Sequence, residues 1–326
     1  MNRDINYSII IPHKNIPDLL QRCLASIPRR EDVQIIVVDD NSDSDKMDFD
    51  HFPGLGDPFV EVFFTKEGKG AGYARNVGLT KAVGKWLLFA DADDYFNKTI
   101  NDILDEYIDS SADIIYFKHV SLGPYKNSYN NKFNTYIDYW LYSPQKADYF
   151  LRYKNTTVWA KIFKRDLINK NAVKFDEVFI FNDVTFTYLA GFYAGLIQVD
   201  PRILYNLIAR RNSITYSRKT IDKKLDKLYV RGKCYLFFMK KNIPVPEKMA
   251  FKNYLTEFYF FYRKYFDRAK KILLGLGFSS DEIVRICICN VLFYIPQKII
   301  VKLFSQKNYL LILYLKFKRK TMVSNN

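Results

Sequence analysis

The chain has 326 residues, 48% of them hydrophobic, which excludes a disordered protein and leaves room for one large domain with a smaller appendage. Its formal charge of +15 is unevenly placed, since residues 1–200 hold 23 basic and 28 acidic side chains while residues 201–326 hold 27 and 7. The basic, aromatic tail interleaves Lys and Arg with long apolar residues and lacks glycine-spaced or zinc-linked modules, so an anionic membrane surface is its expected partner and nucleic acid is not.

In chain order, Tyr7 to Pro12 (YSIIIP) is a continuous apolar run that predicts a strand buried on both faces. Asn15, Pro17 and the helical spacing of Leu19, Leu20, Cys23, Leu24 and Ile27 predict a helix after it. Gln34 to Asp40 is a second buried strand ending in two carboxylates, and Phe59 to Phe64 a third after a loop of Asp, Ser, Pro and Gly. A helix around Gly70 to Val83 leads to Lys85 to Ala90, a fourth strand that runs into Asp91, Asp93 and Asp94. Strands alternating with helices imply an α/β fold with a mainly parallel sheet, in which ligands bind beyond the carboxyl ends of the strands. Both acidic turns stand at such ends.

After a strand at Ile114 to Phe117, the Asn/Tyr/Lys-rich stretch Pro124 to Tyr142 reads as a long loop. Order is expected again over Val158 to Ile168 and in a helix near Asp183 to Ala194, and from Thr220 onward the chain reads as helical. The apolar stretches Ile286 to Ile295 and Leu310 to Leu315 are shorter than the ~20 residues of a membrane span. They fit an in-plane amphipathic element or a helix buried on the catalytic domain. Cys23, Cys234, Cys287 and Cys289 are expected as reduced thiols in the cytoplasm, and no zinc site is expected from them or from His13, His51 and His119.

Asp91-Ala92-Asp93-Asp94 puts three carboxylates in four residues, a repulsion that a hard divalent cation on a diphosphate would relieve. Taken alone, an acidic turn after a strand is more often a solvated loop or a helix cap. Here Asp39-Asp40 ends a second strand, and the run Gly68 to Asn76 (GKGAGYARN) leads into the helix between the two turns. Its glycines permit close backbone approach, and Arg75 can face phosphate or base.

SIIIPHKN (Ser8 to Asn15), IIVVDDNSD (Ile35 to Asp43), GAGYARNVGL (Gly70 to Leu79) and GKWLLFADADD (Gly84 to Asp94) together resemble glycosyltransferase family 2, the inverting transferases of GT-A fold, of the kind that builds bacterial surface polysaccharide. VWAKIFKRDLI (Val158 to Ile168), FNDVTF (Phe181 to Phe186) and YNLIARRNSIT (Tyr205 to Thr215) are similar to its later segments. The resemblance spans about residues 5–216. It implies a GT-A nucleotide-sugar-binding domain over 1–216, with 217–326 as a basic helical tail.

By that resemblance Pro12 and Asp40, with Asp39 beside it, would line the pocket for base and ribose, and Arg75 would support the same nucleotide. Asp91 would reach ribose or metal, Asp93 would be the principal ligand of Mn²⁺ or Mg²⁺, and Asp94 would stand behind them. Asp183 would be the general base that takes the acceptor hydroxyl's proton, and Arg211 and Ser213 would close over the diphosphate. Trp159 and Lys161 are candidates for sugar contacts or for core.

Two positions depart from the family pattern: Lys14 stands where an aromatic residue is common, and Asn182 where Glu usually precedes the base. Asp176 and Glu177 are the alternatives to Asp183. The resemblance further implies a UDP-sugar donor and a glycan or lipid-linked acceptor, at the cytoplasmic face of a bacterial membrane. A sugar nucleotidyltransferase would need a glycine-rich phosphate loop where Pro12-His13-Lys14-Asn15 stands. A non-catalytic nucleotide-sugar or membrane-binding module would lack metal-dependent turnover.

Overall fold

The computed structural model describes residues 4–124, 132–210, 220–246 and 251–294. The chain divides into two compact units, Met1–Met249 and Ala250–Asn326. The first is built on an eight-stranded sheet of order β3-β2-β1-β4-β7-β6-β8-β5. Its strands are β1 (Tyr7–His13), β2 (Val33–Asp40), β3 (Val60–Thr65), β4 (Trp86–Phe89), β5 (Tyr95–Phe96), β6 (Ile114–Leu122), β7 (Lys161–Lys164) and β8 (Ile197–Ile208). The pairs β1/β2, β2/β3, β1/β4 and β6/β8 are parallel, and β7 and β5 are the antiparallel insertions. This is the expected α/β, GT-A-like arrangement.

Every residue of β1 and β2 is buried, as their unbroken apolar runs require. Alternation along β1 sends Tyr7, Ile9 and Ile11 to one face and Ile10 to the other, so the sheet has a core on each side. The first face is covered by α1 (Pro17–Ala25) and α3 (Ile100–Tyr107). On the second lie α2 (Ala71–Lys81), α4 (Lys132–Tyr142), α5 (Pro144–Lys154), α6 (Arg165–Lys170) and α7 (Val184–Tyr193). Because β1, β2 and β4 run parallel, their carboxyl ends, with Asp39-Asp40 and Asp91, emerge on one edge.

The long loop expected over 124–142 is a helix from Lys132 onward, α4. Its Asn, Thr and Tyr residues are indifferent helix formers, but burial of Tyr136 and Ile137 against the second core decides the conformation. The first unit also runs past residue 216. Helix α8 (Ile221–Lys240) packs Val230, Cys234 and Phe238 against Tyr153 of α5 and Tyr188 of α7. Within the second unit, α9 (Phe251–Phe261), α10 (Phe266–Leu276) and α11 (Ser280–Tyr294) bury Phe251, Leu255, Phe258, Leu273, Phe278 and Ile283. Gly277, at φ +101°, supplies the left-handed residue that ends α10. No helix among the described residues is long and apolar enough to cross a membrane.

Candidate active site

The two acidic residues that close β2 point in opposite directions, as neighbours on a strand must. Asp39 is 1% exposed, and both its oxygens are engaged: Oδ2 by the ring of His13 at 2.8 Å and by the Ser42 hydroxyl, Oδ1 by the Ser42 N–H at 2.8 Å. His13 Nε2 accepts from Ile16 N–H, so Nδ1 carries the proton that goes to Asp39. Burial alone would raise the Asp39 pKa, but these hydrogen bonds hold it below the usual carboxylate value. Asp39 therefore knits the end of β1 to the loop after β2.

Asp40 faces the other way. Its Oδ2 accepts from Gly70 N–H at 2.7 Å, while its Oδ1 is buried with no hydrogen-bond partner. Burial raises its pKa despite the Gly70 bond and nearby Lys14. Lys14 Nζ is spent on the Asp40 carbonyl at 2.9 Å, so the residue that replaces the common aromatic braces this turn. Pro12 lies buried beside it, paired with Val38 across β1 and β2.

Gly70, at φ +94°, begins α2, which carries Arg75 between the two acidic turns. The Arg75 guanidinium is ion-paired with Asp91 Oδ1, donates to Asn182 Oδ1 at 2.8 Å, and lies 5.4 Å from the centre of the Phe175 ring. Its Nε is buried and unpartnered. Close approach of α2 to the 176–183 loop needs glycine at position 72, where a Cβ would stand 2.1 Å from the Asp176 carbonyl oxygen. Arg75 thus joins the β4 turn to the loop that carries Asp183, and Asn182 offers it a neutral amide where a Glu would have brought a further charge.

Asp183 stands at the amino end of α7 without capping it by its side chain. Burial, and the neighbouring Asp91 charge, push its carboxyl up to about 6, against the opposing pull of Arg75 and Lys161. The residue two before it, Phe181, sits at φ +62°, a strained left-handed backbone for a bulky side chain and the kind of conformation that collects at functional loops. Asp176 is not available as a base: its carboxylate is 4% exposed and accepts from Thr185 Oγ1 and, at 2.5 Å, from Lys233 Nζ of α8. Glu177 accepts from the Asn76 amide at 3.4 Å.

In the β4 turn the three carboxylates separate. Asp94, 2% exposed, accepts from Ile208 N–H at 2.7 Å and from the Tyr205 hydroxyl at 3.0 Å, and its pKa is driven well up by burial and by Asp93 and Asp91. Asp91 and Asp93 keep partial exposure. Asp93 pairs with Arg210 Nε at 2.7 Å, and its carbonyl accepts from Arg22 at 2.5 Å. The guanidinium on Asp93 marks where the turn already takes a cation.

Among the described residues no group of three or more His, Cys, Asp or Glu side chains is placed to hold a metal alone.

Lys161 and Trp159 belong to the frame. Lys161 is 2% exposed, donates to the carbonyls of Asn155 (2.9 Å) and Thr157, and has its pKa lowered to about 7 by burial, with Asp183 opposing. Trp159 stacks on Tyr205 with centroids 5.4 Å apart and planes 5° from parallel. Arg211 and Ser213 lie outside the described residues. The sequence did not single out Tyr205, Arg210 or Lys233. Their signal is three-dimensional: β8 and α8 return to the site from more than 100 residues and about 50 residues away respectively.

The profile of Glycosyl transferase family 2 matches residues 8–171. An uncharacterized glycosyltransferase of Bacillus subtilis, EpsJ, is 26% identical over 237 residues, covering 68% of this chain and 67% of its own. The poly(ribitol-phosphate) beta-glucosyltransferase of Bacillus spizizenii is 36% identical over 93 residues, 27% of this chain but 15% of that protein. Among solved structures, S. aureus TarS 1–349 in complex with UDP-GlcNAc superposes with a TM-score of 0.58 over 83% of this chain and 79% of that one, at 20% identity, a likeness of fold.

Proposed function

The chain belongs to glycosyl transferase family 2 and is a glycosyltransferase, and from that premise we propose that it moves a sugar from a UDP-sugar to a hydroxyl of a glycan or lipid-linked acceptor, with inversion. The observation that carries this reading is the unbroken link from Asp40 through Gly70 and α2 to Arg75, and from Arg75 to Asp91 on one side and Asn182-Asp183 on the other. It gathers Asp40, the acidic turn at Asp91 and the loop that carries Asp183 about one sheet edge.

In the reaction, the Asp183 carboxylate accepts the proton of the acceptor hydroxyl as its oxygen bonds to the anomeric carbon. The bond from that carbon to the diphosphate oxygen breaks, and UDP leaves with the electron pair. A single in-line displacement inverts the anomeric centre. Asp183 suits the role because a carboxyl near 6 is a stronger proton acceptor than an ordinary one and is still ionised at neutral pH. The unpartnered Asp40 Oδ1 would accept from an N–H or O–H of the nucleoside. Asp93, with Asp91, would hold Mn²⁺ or Mg²⁺, which when bound supplies positive charge against the departing diphosphate. Arg210, bonded to Asp93, would face the same phosphates.

UDP-GlcNAc in TarS supports a UDP-linked donor, and the poly(ribitol-phosphate) relative supports an acceptor among bacterial surface polymers. The basic region after residue 200 supports peripheral attachment to an anionic membrane, at the cytoplasmic face, where each Lys or Arg adds ~1 kcal/mol. The test is release of UDP from a panel of UDP-sugars with Mn²⁺ present or chelated. Release by the parent chain that vanishes in Asp183→Asn supports the reading, and equal release by both overturns the assignment of the base.

A further inference from the structure

The Asp91–Asp94 turn is held from outside as well as from within. Three carboxylates repel one another within it, and the internal bond recorded across it is Asp94 N–H to the Asp91 carbonyl at 3.0 Å. Tyr205 of β8 spans it from outside. Its hydroxyl accepts from Asp91 N–H at 2.8 Å and donates to Asp94 Oδ2 at 3.0 Å, touching the first and last residues of the turn at once. The strand that follows the turn, β5, is tied to the same residue by the pairing of Phe96 with Tyr205.

Tyr205 itself cannot easily move. It is 0% exposed, stacked flat on Trp159, and met edge-on by Phe96 at 5.7 Å. Trp159 is in turn met by the His119 ring at 4.8 Å, and the next residue, Ala160, is held at φ +54°. A ring serving only as core would not need a hydroxyl, and a buried tyrosine brings one to a place that uses it. Here that place is the acidic turn.

We propose that Tyr205 is a positioning residue for Asp93, its hydroxyl fixing the distance between the ends of the turn so that the Asp93 carboxylate is presented to the cation and diphosphate, with Trp159 holding the tyrosine ring in register. The inference rests on the reading of Asp93 as a metal ligand. It assigns to β8 a second task beside leading into Arg210, that of shaping the turn from behind. Partners of this kind, removed from a metal's own ligands by one bond, change metal affinity by about 10–100-fold when deleted.

The test uses the full chain and reads binding. UDP is titrated into the parent, Tyr205→Phe, Trp159→Phe and Asp93→Asn, first in chelator and then with rising Mn²⁺. Tyr205→Phe is expected to keep the metal-free UDP affinity of the parent and to need about tenfold more Mn²⁺ for half of the metal-dependent tightening, with Trp159→Phe shifted less in the same direction. An unchanged Mn²⁺ requirement in Tyr205→Phe overturns the proposal, as does a loss of metal-free binding as large as the metal effect. If Tyr205→Phe does not fold, Trp159→Phe decides, and an unshifted Mn²⁺ requirement there is equally fatal. Asp93→Asn separates the two ideas. A full Mn²⁺ response in that variant removes the metal reading itself, whereas its loss beside a normal Tyr205→Phe removes only the role given to Tyr205.

Discussion

The two acidic turns look alike in sequence, each a buried parallel strand running into adjacent carboxylates, and the structure uses them differently. At the end of β2, Asp39 is held inside the protein by hydrogen bonds from His13 and Ser42, and Asp40 is left with one buried oxygen that has no hydrogen-bond partner. At the end of β4, Asp94 is the inward residue, held by β8, while Asp91 and Asp93 face cations. Each turn therefore divides into a carboxylate locked into the frame and others that the proposed function gives to the donor and its cation. The first turn is braced by Ser42 three residues on and by His13, Lys14 and Gly70 no more than 30 residues away, the second by a strand more than 100 residues away. Position beside a partner, and not residue type, decides which role a carboxylate takes.

The sharpest way to separate the turns from the chemistry is to remove the group that belongs to neither. Asp183→Asn should lower turnover by about 10²–10⁴-fold, the usual worth of a general base, while UDP binding with and without Mn²⁺ stays at the parent value. The pH profile should agree: kcat/KM falls on the acid side of about pH 6, where Asp183 takes up its proton. Stability should move the opposite way. A carboxyl raised in the folded state favours folding most when protonated, and that contribution is lost as pH rises from the ordinary value of 3.8 to about 6. At pH 8 the neutral Asn should thus melt higher than the parent, by roughly 2–4 °C for each kcal/mol recovered.

Within the turns, Asp93→Ala should have the next largest effect. It removes the partly exposed carboxylate that pairs with Arg210, so Mn²⁺ should no longer stimulate turnover, a loss on the order of 100-fold, while the protein melts as before. Retained stimulation would mean that the second turn binds no cation and that the contrast drawn here is wrong.

Much of this was legible in the sequence, and for a local reason. Apolar runs such as YSIIIP and QIIVVDD can only be strands buried on both faces, and parallel strands align their acidic ends. The allocation of roles was less legible. Asp39 and Asp40 differ only in which way the pleat points them, and the deciding partner is His13, which the β1/β2 register places opposite Asp39. The roles of Tyr205, Arg210 and Lys233 depend on where β8 and α8 return, which no local pattern encodes. Helix α4 was missed because burial of Tyr136 and Ile137 outweighs a composition that reads as loop.

Asp39→Asn and Asp40→Asn should then give opposite phenotypes from adjacent positions. Asp39 accepts from His13 and Ser42 in a buried site, and an amide there turns one acceptor into a donor facing other donors, at a cost of about 1–3 kcal/mol. Its depressed pKa gives stability that is present above the unfolded value and fades as pH falls through the folded one, so the variant's deficit should shrink in acid.

Asp40→Asn is the mildest change and the most discriminating. Its amide oxygen can keep the Gly70 N–H bond, and burial already raises the pKa of the native carboxyl, so loss of the charge should leave the melting temperature unchanged or slightly higher. What changes is the atom with no partner: an acceptor becomes an N–H₂ donor, opposed to any N–H or O–H that the nucleoside presents. UDP affinity should weaken about tenfold, the worth of one charge-assisted hydrogen bond, with no change in the response to Mn²⁺. Equal UDP affinity in Asp40→Asn and parent would show that the first turn braces the sheet edge with both its carboxylates, and would leave the second turn alone to hold the donor.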